Sequence, residues 1–419
     1  MIISFLLHGI NPSPSGGPFM LYKFMDMLSR RGHQVYAITR ASRIKWTPDL
    51  SGHLPGKQTP LLRKKKLRSY IKKLMQIALG REKTQAISAE SRSNSNPKVL
   101  WRRTLGLVNN WTPSDITIAT HWTTAHAAYL LMDKTVPLYY IQMYEELFGK
   151  NEIERKQARL TYFMPLVLMA GSYWIKDQIK ERIQKDAYLL QPGIPAINCL
   201  DQGLKLDLKK KFMDAPKIKI LAFAKDKAHF GFPDMVEAMR IVFSKLGRDN
   251  IEWNIFSNNP SLKLPDGIPI NLVQGRGKQL IPLFLDSHIA LHASWYNGFA
   301  GGALETMSAG TAAITTASNS EGVLISGQNC LTVPNRDINA FARDIIRLIQ
   351  DRELCLKLAQ GGLKTASEFS WDKVTDNLEK IIRETAANYP YKGKFADIPE
   401  LLKGNVTQPP AGKEAGAPE

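Results

Sequence analysis

Residues 294–310 read SWYNGFAGGALETMSAG, with Gly298, Gly301 and Gly302 gathered before a helix-like run and Asn297 and Glu305 on either side. Glycine has no Cβ, so backbone there can approach a ligand closely or take up positive φ. The run GALETMSAG predicts a short helix ended by Gly310. A glycine loop feeding a helix N-terminus offers unpaired N–H groups and a positive dipole end, a chemistry suited to phosphate. A tight turn on a packed α/β unit satisfies the same pattern, so the loop alone does not decide the matter. Two further polar clusters follow apolar runs. His121 opens HWTTA after DITIAT, and Gln142, Tyr144 and Glu145 lie just after PLYYI. Polar residues at the carboxyl ends of buried strands are placed to meet ligands. For His121 the alternative is a satisfied core or surface histidine. Gly16 and Gly17 would let a ligand approach the first helix, or simply form a turn.

The elements that would position these residues alternate. IISFLLHG, HQVYAIT, DITIAT, PLYYIQM and LVLMAG read as strands, with helices at 19–31, 123–132, 152–163 and 173–184 between them. A second series begins at IKILAFA and continues through IEWNIF, INLV, HIALHAS, AAITT and CLTV. Its helices are predicted at 232–245, 278–285, 302–309, 338–350, 352–367 and 371–387. Alternating strands and helices predict parallel sheets covered on both faces. Two such series predict an α/β protein of two Rossmann-like, doubly wound domains facing a central cleft. The domains are expected at 1–192 and 193–388, with a basic insertion at about 57–104 in the first. The last helix is read as able to cross back to the N-terminal domain, and 389–419 as a disordered tail.

With 419 residues, 44% hydrophobic and 22% charged, the composition is that of a globular chain too long for one core. No apolar run reaches transmembrane length, and the N-terminus reads as a buried strand rather than a leader. Cys199, Cys330 and Cys355 have no metal-ligand spacing and fit a reducing cytosol. No metal and no cofactor are expected. The formal charge is +18, and between Lys57 and Arg103 fourteen basic residues face only Glu82 and Glu90, a net +12. Such a block seeks an anionic surface. In LLRKKKLRSYIKKLMQIALG, Leu67, Ile71, Leu74 and Ile77 recur at helical intervals among Lys64, Lys65, Lys66, Lys72 and Lys73. That is the pattern of an interfacial helix on anionic lipid, with a solvated packed helix as the alternative. Nucleic acid is the less favoured partner, since no binding motif accompanies the charge.

Several blocks, in order, resemble the family-4 glycosyltransferases, retaining enzymes of the GT-B fold. PSGGPFMLYKFMDMLSRRGHQVYAIT is similar to the family's N-terminal Gly-Gly loop, first helix and second strand. GSYWIKDQIKERI with LLQPGIP is similar to its serine–lysine helix and interdomain turn, and FSWDKV to the start of its last helix. NGFAGGALETMSAGTAAITTASNSEGVLISGQNCLTV is similar to its main donor-binding block. The resemblance covers roughly residues 1–40 and 112–387.

The resemblance implies a glycosyltransferase that moves a sugar from a nucleotide-activated donor to a glycan or lipid-linked acceptor. Glu305 takes the place of the second of two glutamates eight positions apart, which contacts ribose. Asn297 stands where the first, sugar-facing glutamate belongs. Gly298, Phe299, Ala300 and Gly301 form the loop that contacts sugar and diphosphate, and Gly17 belongs to the N-terminal glycine loop. In FAKDKAHFGF, Lys225 matches a diphosphate-binding arginine, Phe230 stands in place of a lysine, and Lys227 lies nearby. Arg276, in GRGKQL, falls in the nucleobase loop. His121 matches a histidine facing the donor sugar, and Gln142, Tyr144 and Glu145 are assigned to the acceptor. An amide at 297 can hydrogen-bond a sugar hydroxyl but cannot place negative charge opposite an oxocarbenium-like transition state. The expected location is the cytosol, peripheral on the inner membrane face. The alternatives are a non-catalytic GT-B subunit that binds a partner transferase or glycan and, less favoured, a basic nucleic-acid-binding protein.

Overall fold

The computed structural model describes residues 1–9, 16–47, 96–194, 207–224, 230–257, 259, 262–274, 280–295, 299–317 and 322–389. The chain divides into two compact units, Met1–Gln191 with Val374–Glu419, and Pro192–Lys373.

In chain order the first unit contains β1 (Ile2–Leu6), α1 (Gly17–Arg30), β2 (Gln34–Ile38), β3 (Arg43–Trp46), α2 (Pro97–Asn110), β4 (Ile116–Ala119) and α3 (Trp122–Leu130). It continues with β5 (Val136–Ile141), a 3-10 turn (Glu145–Phe148), α4 (Glu152–Phe163), β6 (Val167–Ala170), α5 (Tyr173–Ile183) and β7 (Tyr188–Leu189). The sheet runs β3-β2-β1-β4-β5-β6-β7, parallel except for the antiparallel β2–β3 pair. Strands buried on both faces must be almost wholly apolar, and β1, β4 and β5 (IISFL, ITIA, VPLYYI) are. Register sets Leu6 beside Ile38 and Ala119, and Ala119 beside Tyr139, so the carboxyl ends of β1, β4 and β5 emerge side by side.

Two elements of this unit differ from expectation. Helix α2 overlaps the end of the basic insertion expected at 57–104. Asn96 caps it by accepting from Lys98 N–H at 3.0 Å, Pro97 occupies its first turn, and Leu100, Thr104, Leu107 and Val108 are buried. Residues 97–104 therefore belong to the packed fold, and the arginines between those apolar positions had disguised a helical stripe as part of the charge run. Strand β3, with only four residues (RIKW), is an antiparallel edge strand that no pattern had marked.

The second unit holds α6 (Leu208–Met213), β8 (Ile218–Phe223), α7 (Phe232–Leu246), β9 (Ile251–Phe256), β10 (Asn271–Val273), α8 (Ile281–Asp286) and β11 (Ile289–His292). Then come α9 (Gly301–Met307), β12 (Ala312–Thr316), β13 (Cys330–Val333), α10 (Ile338–Gln350) and α11 (Arg352–Ser367). Its sheet runs β10-β9-β8-β11-β12-β13, with every pair parallel. Trp253, Met239, Phe341, Ile345 and Leu348 bury their side chains in its core, each contributing about 1.5–3 kcal/mol of transfer free energy. Asp337 and Asp351 cap α10 and α11 through N–H groups at 2.9 and 2.8 Å. His288, before β11, accepts from Lys219 N–H at 3.0 Å, which leaves its Nε2 proton for the Lys211 carbonyl at 3.1 Å. It is a structural tie.

Helix α12 (Trp371–Asn388) begins in the second unit and has most of its length in the first. There Arg31 reaches Asp376 at 2.6 Å and Glu379 at 3.1 Å, and His33 meets Glu379 at 2.7 Å. Residues 390–419, the expected tail, lie outside the described residues.

Candidate active site

In the first unit, polar groups collect at the carboxyl ends of β1, β4 and β5. His121 is the N-cap of α3: its Nδ1 accepts from Thr123 N–H at 3.2 Å. Nδ1 therefore carries the lone pair, and the proton of the neutral ring sits on Nε2. Nε2 is 3.9 Å from Oε1 of Glu145, and a third of the His121 side chain reaches solvent while Glu145 is only 11% exposed. Burial, with the neighbouring His8 and Arg103 adding to it, lowers the His121 pKa to about 3, so the imidazole is neutral at physiological pH. His8 packs edge-on against His121 with ring centres 4.8 Å apart, lies 3.0 Å from the Thr123 hydroxyl, and accepts from Arg103 at 3.1 Å.

Glu145 faces inward. Its Oε1 accepts from Trp122 N–H at 3.1 Å, the first amide of α3, and its Oε2 bonds the Tyr139 hydroxyl. Its own N–H donates to the Tyr162 hydroxyl at 2.8 Å. Burial raises its pKa from 4.5 to about 8, with the bonds from Tyr139 and Trp122 opposing part of the rise. Tyr144 is fully buried, with Tyr162 and Trp174 rings packed on it and Arg182 over its face. Tyr144 and Glu145, expected at the acceptor, turn toward the core of the first unit, where Tyr139, Tyr162, Trp174 and the start of α3 are their neighbours. Gln142 instead meets the start of α1. A Cβ added at Gly17 would lie 2.2 Å from Gln142 Oε1, so a larger residue there would turn the Gln142 side chain aside. His8, Thr123, Arg103, Tyr139 and Tyr162 were not anticipated. Of these only His8, a polar residue directly after a buried strand, carried a local signal.

In the second unit, α9 follows β11. Ala303, Leu304 and Met307 pack into a cluster with Ala313, Cys330 and Phe369, while Gly301, Gly302 and Glu305 share the opposite face at spacings of three and four. Neither Gly301 nor Gly302 has positive φ. A Cβ at Gly301 would lie 3.3 Å from the Phe299 ring, and one at Gly302 would lie 3.5 Å from the His292 ring. Phe299 packs on Phe369 and Ala300 is buried, so these two anchor the loop from below. Beneath Gly302 lies His292, 3.2 Å from the Thr306 hydroxyl and stacked on Phe223. Gly310, at φ 66°, turns the chain out of the helix, and Thr311 N–H closes on the Thr306 carbonyl at 3.3 Å. Gly231 also needs its left-handed φ of 72°, and a Cβ there would lie 2.0 Å from the Ala293 carbonyl oxygen. The backbone leaving β8 is thereby pressed against the backbone leaving β11. Asn297, Gly298, Lys225, Lys227 and Arg276 lie outside the described residues, as do Lys64, Lys65, Lys66, Lys72 and Lys73. Among the described residues no group of His, Cys, Asp and Glu side chains is placed to hold a metal ion.

Residues 219–351 match the family described as glycosyl transferases group 1. The matched span runs from β8 through α10 and so includes the glycine loop and Glu305. By sequence, no curated protein matches the chain. Among solved structures, the chain is similar to sucrose-phosphate synthase from Thermosynechococcus elongatus, with a TM-score of 0.59, 14% identity, and 92% of this chain and 99% of that one covered. It is also similar to Anabaena HepE in complex with UDP and glucose, with a TM-score of 0.58, 12% identity, and 92% and 100% covered. A third is WaaG, a glycosyltransferase involved in lipopolysaccharide biosynthesis, with a TM-score of 0.56, 12% identity, and 91% and 99% covered. These likenesses, with the two largely parallel sheets, establish the GT-B fold of two Rossmann-like domains.

Proposed function

We infer that this chain is a glycosyltransferase that moves a sugar from a nucleotide-activated donor to a glycan or lipid-linked acceptor, with retention of configuration. The observation that carries the reading is the match over residues 219–351, centred on a helix face where Glu305 stands beside bare glycines. Similar folds hold UDP and glucose, or UDP-glucose, in Anabaena HepE.

Glu305 is assigned to the ribose hydroxyls, which a carboxylate accepts in pairs. Backbone at 298–301 and the cations Lys225 and Lys227 are assigned to the diphosphate, and Arg276 to the nucleobase loop. Departure of a nucleoside diphosphate builds negative charge on its oxygens. Fixed N–H groups and lysines stabilise that charge without a metal ion. His121, held neutral with its proton on Nε2, is assigned as a hydrogen-bond donor to a sugar hydroxyl. Asn297 is assigned a hydrogen-bonding role on the sugar. Catalysis then rests on positioning and leaving-group electrostatics.

Peripheral docking on an anionic membrane is proposed from the net charge of +12 between Lys57 and Arg103. Among the described residues no helix is long and apolar enough to cross a membrane.

Asn297 and Phe230 favour a second reading, a GT-B subunit that binds nucleotide without turnover, because each replaces a charged group of the family pattern. A donor-hydrolysis assay over a panel of nucleotide sugars separates the two. Release of nucleoside diphosphate from one donor supports the enzyme, and binding without release supports the subunit.

A further inference from the structure

Two imidazoles stand at equivalent places on adjacent strands of the first unit. Leu6 of β1 and Ala119 of β4 are register partners, and His8 and His121 each follow two residues later. The strand order β2-β1-β4-β5 reverses direction between β1 and β4. The chain leaves β1 toward one edge of the sheet and comes back on the other side of it to build β4. The crossovers part there, and the crevice at the carboxyl ends of such a strand pair is where open α/β sheets hold ligands. The Thr120 hydroxyl ties the two strands at this point by donating to the Leu6 carbonyl at 2.8 Å.

Each ring has its proton placed by a neighbour. The Arg103 guanidinium, a donor only, donates to His8 Nδ1 at 3.1 Å. The neutral His8 ring therefore carries its proton on Nε2, as His121 does through Thr123 N–H. The buried Thr123 hydroxyl lies between the rings, 3.0 Å from His8 Nδ1 and 2.8 Å from His121 Nδ1. Burial, with Arg103 adding to it, lowers the His8 pKa to about 4, so this ring too is neutral at physiological pH. Both Nδ1 atoms are thus turned to the protein, and each Nε2 N–H is left as a donor. Glu145 Oε1, at 3.9 Å from His121 Nε2, is beyond hydrogen-bond reach. Part of His8 and a third of the His121 side chain are open to solvent. With ring centres 4.8 Å apart, the two donors fall within reach of neighbouring hydroxyls on one sugar ring.

We propose that His8 is a second sugar-binding residue, donating its Nε2 N–H to a hydroxyl of the transferred sugar beside the one that meets His121, with Arg103 as the positioning residue that fixes its tautomer. This rests on the donor reading above. Because Arg103 acts through His8, removing either weakens binding of the nucleotide sugar and removing both weakens it no further. The free nucleoside diphosphate keeps its affinity, since its assigned contacts belong to the second unit.

The test is calorimetric titration of the full chain with UDP, GDP, ADP and TDP, each free and as its glucose, mannose and N-acetylglucosamine conjugates. His8→Ala, His8→Gln, Arg103→Leu and the double variant His8→Ala/Arg103→Leu are compared with wild type. His8→Ala, a change at the surface, is expected to melt with wild type. It and Arg103→Leu are each expected to lose about tenfold or more in affinity for the preferred conjugate, with the free diphosphate changed by less than about threefold. The double variant is expected to lose no more than the larger single loss. His8→Gln, whose amide N–H takes the place of Nε2, is expected to recover most of the affinity. In chain labelled with [15N]histidine, the His8 ring is expected as the Nε2–H tautomer in wild type and as a mixture of tautomers in Arg103→Leu. Unchanged conjugate affinity in His8→Ala, or equal losses for conjugate and free diphosphate, would overturn the sugar contact while leaving the donor reading standing. Additive losses in the double variant, or an unchanged tautomer in Arg103→Leu, would overturn the role of Arg103. Wild-type protein that binds none of the probes would overturn the donor reading and this proposal with it.

Discussion

Glu145→Gln is expected to abolish a decline in stability that the wild-type chain shows between pH 6.5 and 8. Glu145 is buried, and burial raises its pKa from 4.5 to about 8. Between those values the folded chain holds a proton that the unfolded chain has released. Stability therefore falls as pH rises through the window, with the proton-linked contribution fully present at its acidic end. His8, His121 and His126 have pKa values lowered by burial to about 4, 3 and 4. Their contribution has the opposite sign and is confined below the unfolded histidine value near 6.5, where stability falls as pH falls. These histidines, and Lys185, whose pKa burial lowers to about 8, titrate alike in variant and wild type, so the difference between the two isolates the carboxyl group. A full proton difference is worth about 1.4 kcal/mol per pH unit and tapers to half as pH reaches the folded pKa, giving roughly 2 kcal/mol across the window. For a unit of about 200 residues that corresponds to a melting-temperature difference of about 4–8 °C. Glutamine mimics the protonated acid: its carbonyl still accepts from Trp122 N–H and its amide donates to the Tyr139 oxygen. Scanning calorimetry at half-unit pH steps should show the variant already more stable than wild type at pH 6.5 and the gap wider by roughly 2 kcal/mol at pH 8. Parallel curves with no pH-dependent gap would refute the reasoning, because the carboxyl would then be ionised in both states.

His121→Ala should cost about 1 kcal/mol of stability through loss of the α3 N-cap and also lose turnover, whereas His121→Asn keeps a capping oxygen and should lose turnover alone. Thermal melts beside donor-hydrolysis rates check this, and full activity in His121→Asn would remove the imidazole from the chemistry. Replacing Lys64, Lys65, Lys66, Lys72 and Lys73 with Gln should release the chain from anionic vesicles, each surface cation contributing up to about 1 kcal/mol before screening. Nucleotide affinity should be unchanged, and wild-type protein that stays in the supernatant in low-salt co-sedimentation would count against the membrane assignment.

The parts of the site that could be read from sequence are those in which one local segment contains both cause and consequence. The glycines and Glu305 share one short helix, so their spacing fixed a common face, and of the two reasons for glycine the structure removes only positive φ at 301 and 302. The alternation of strands and helices was legible for the same reason: fully buried parallel strands are nearly all apolar. Glu145 shows what was not legible. Its partners, Trp122 N–H and Tyr139, come from α3 and β5, and only parallel register brings them to one place. From sequence alone, a carboxylate after a strand looks the same whether it faces solvent or caps a neighbouring helix. Tyr144 is a second case, because nothing local shows that it is buried with the Arg182 guanidinium over its ring.

Glu305 is the most direct test of the central claim. Isothermal titration of wild type and Glu305→Ala with nucleoside diphosphates should show one preferred nucleotide bound by wild type. In the correctly folded variant its dissociation constant should rise at least about tenfold, equivalent to about 1.4 kcal/mol. An unchanged dissociation constant in a variant that melts like wild type would contradict the assignment of this helix face to the donor nucleotide.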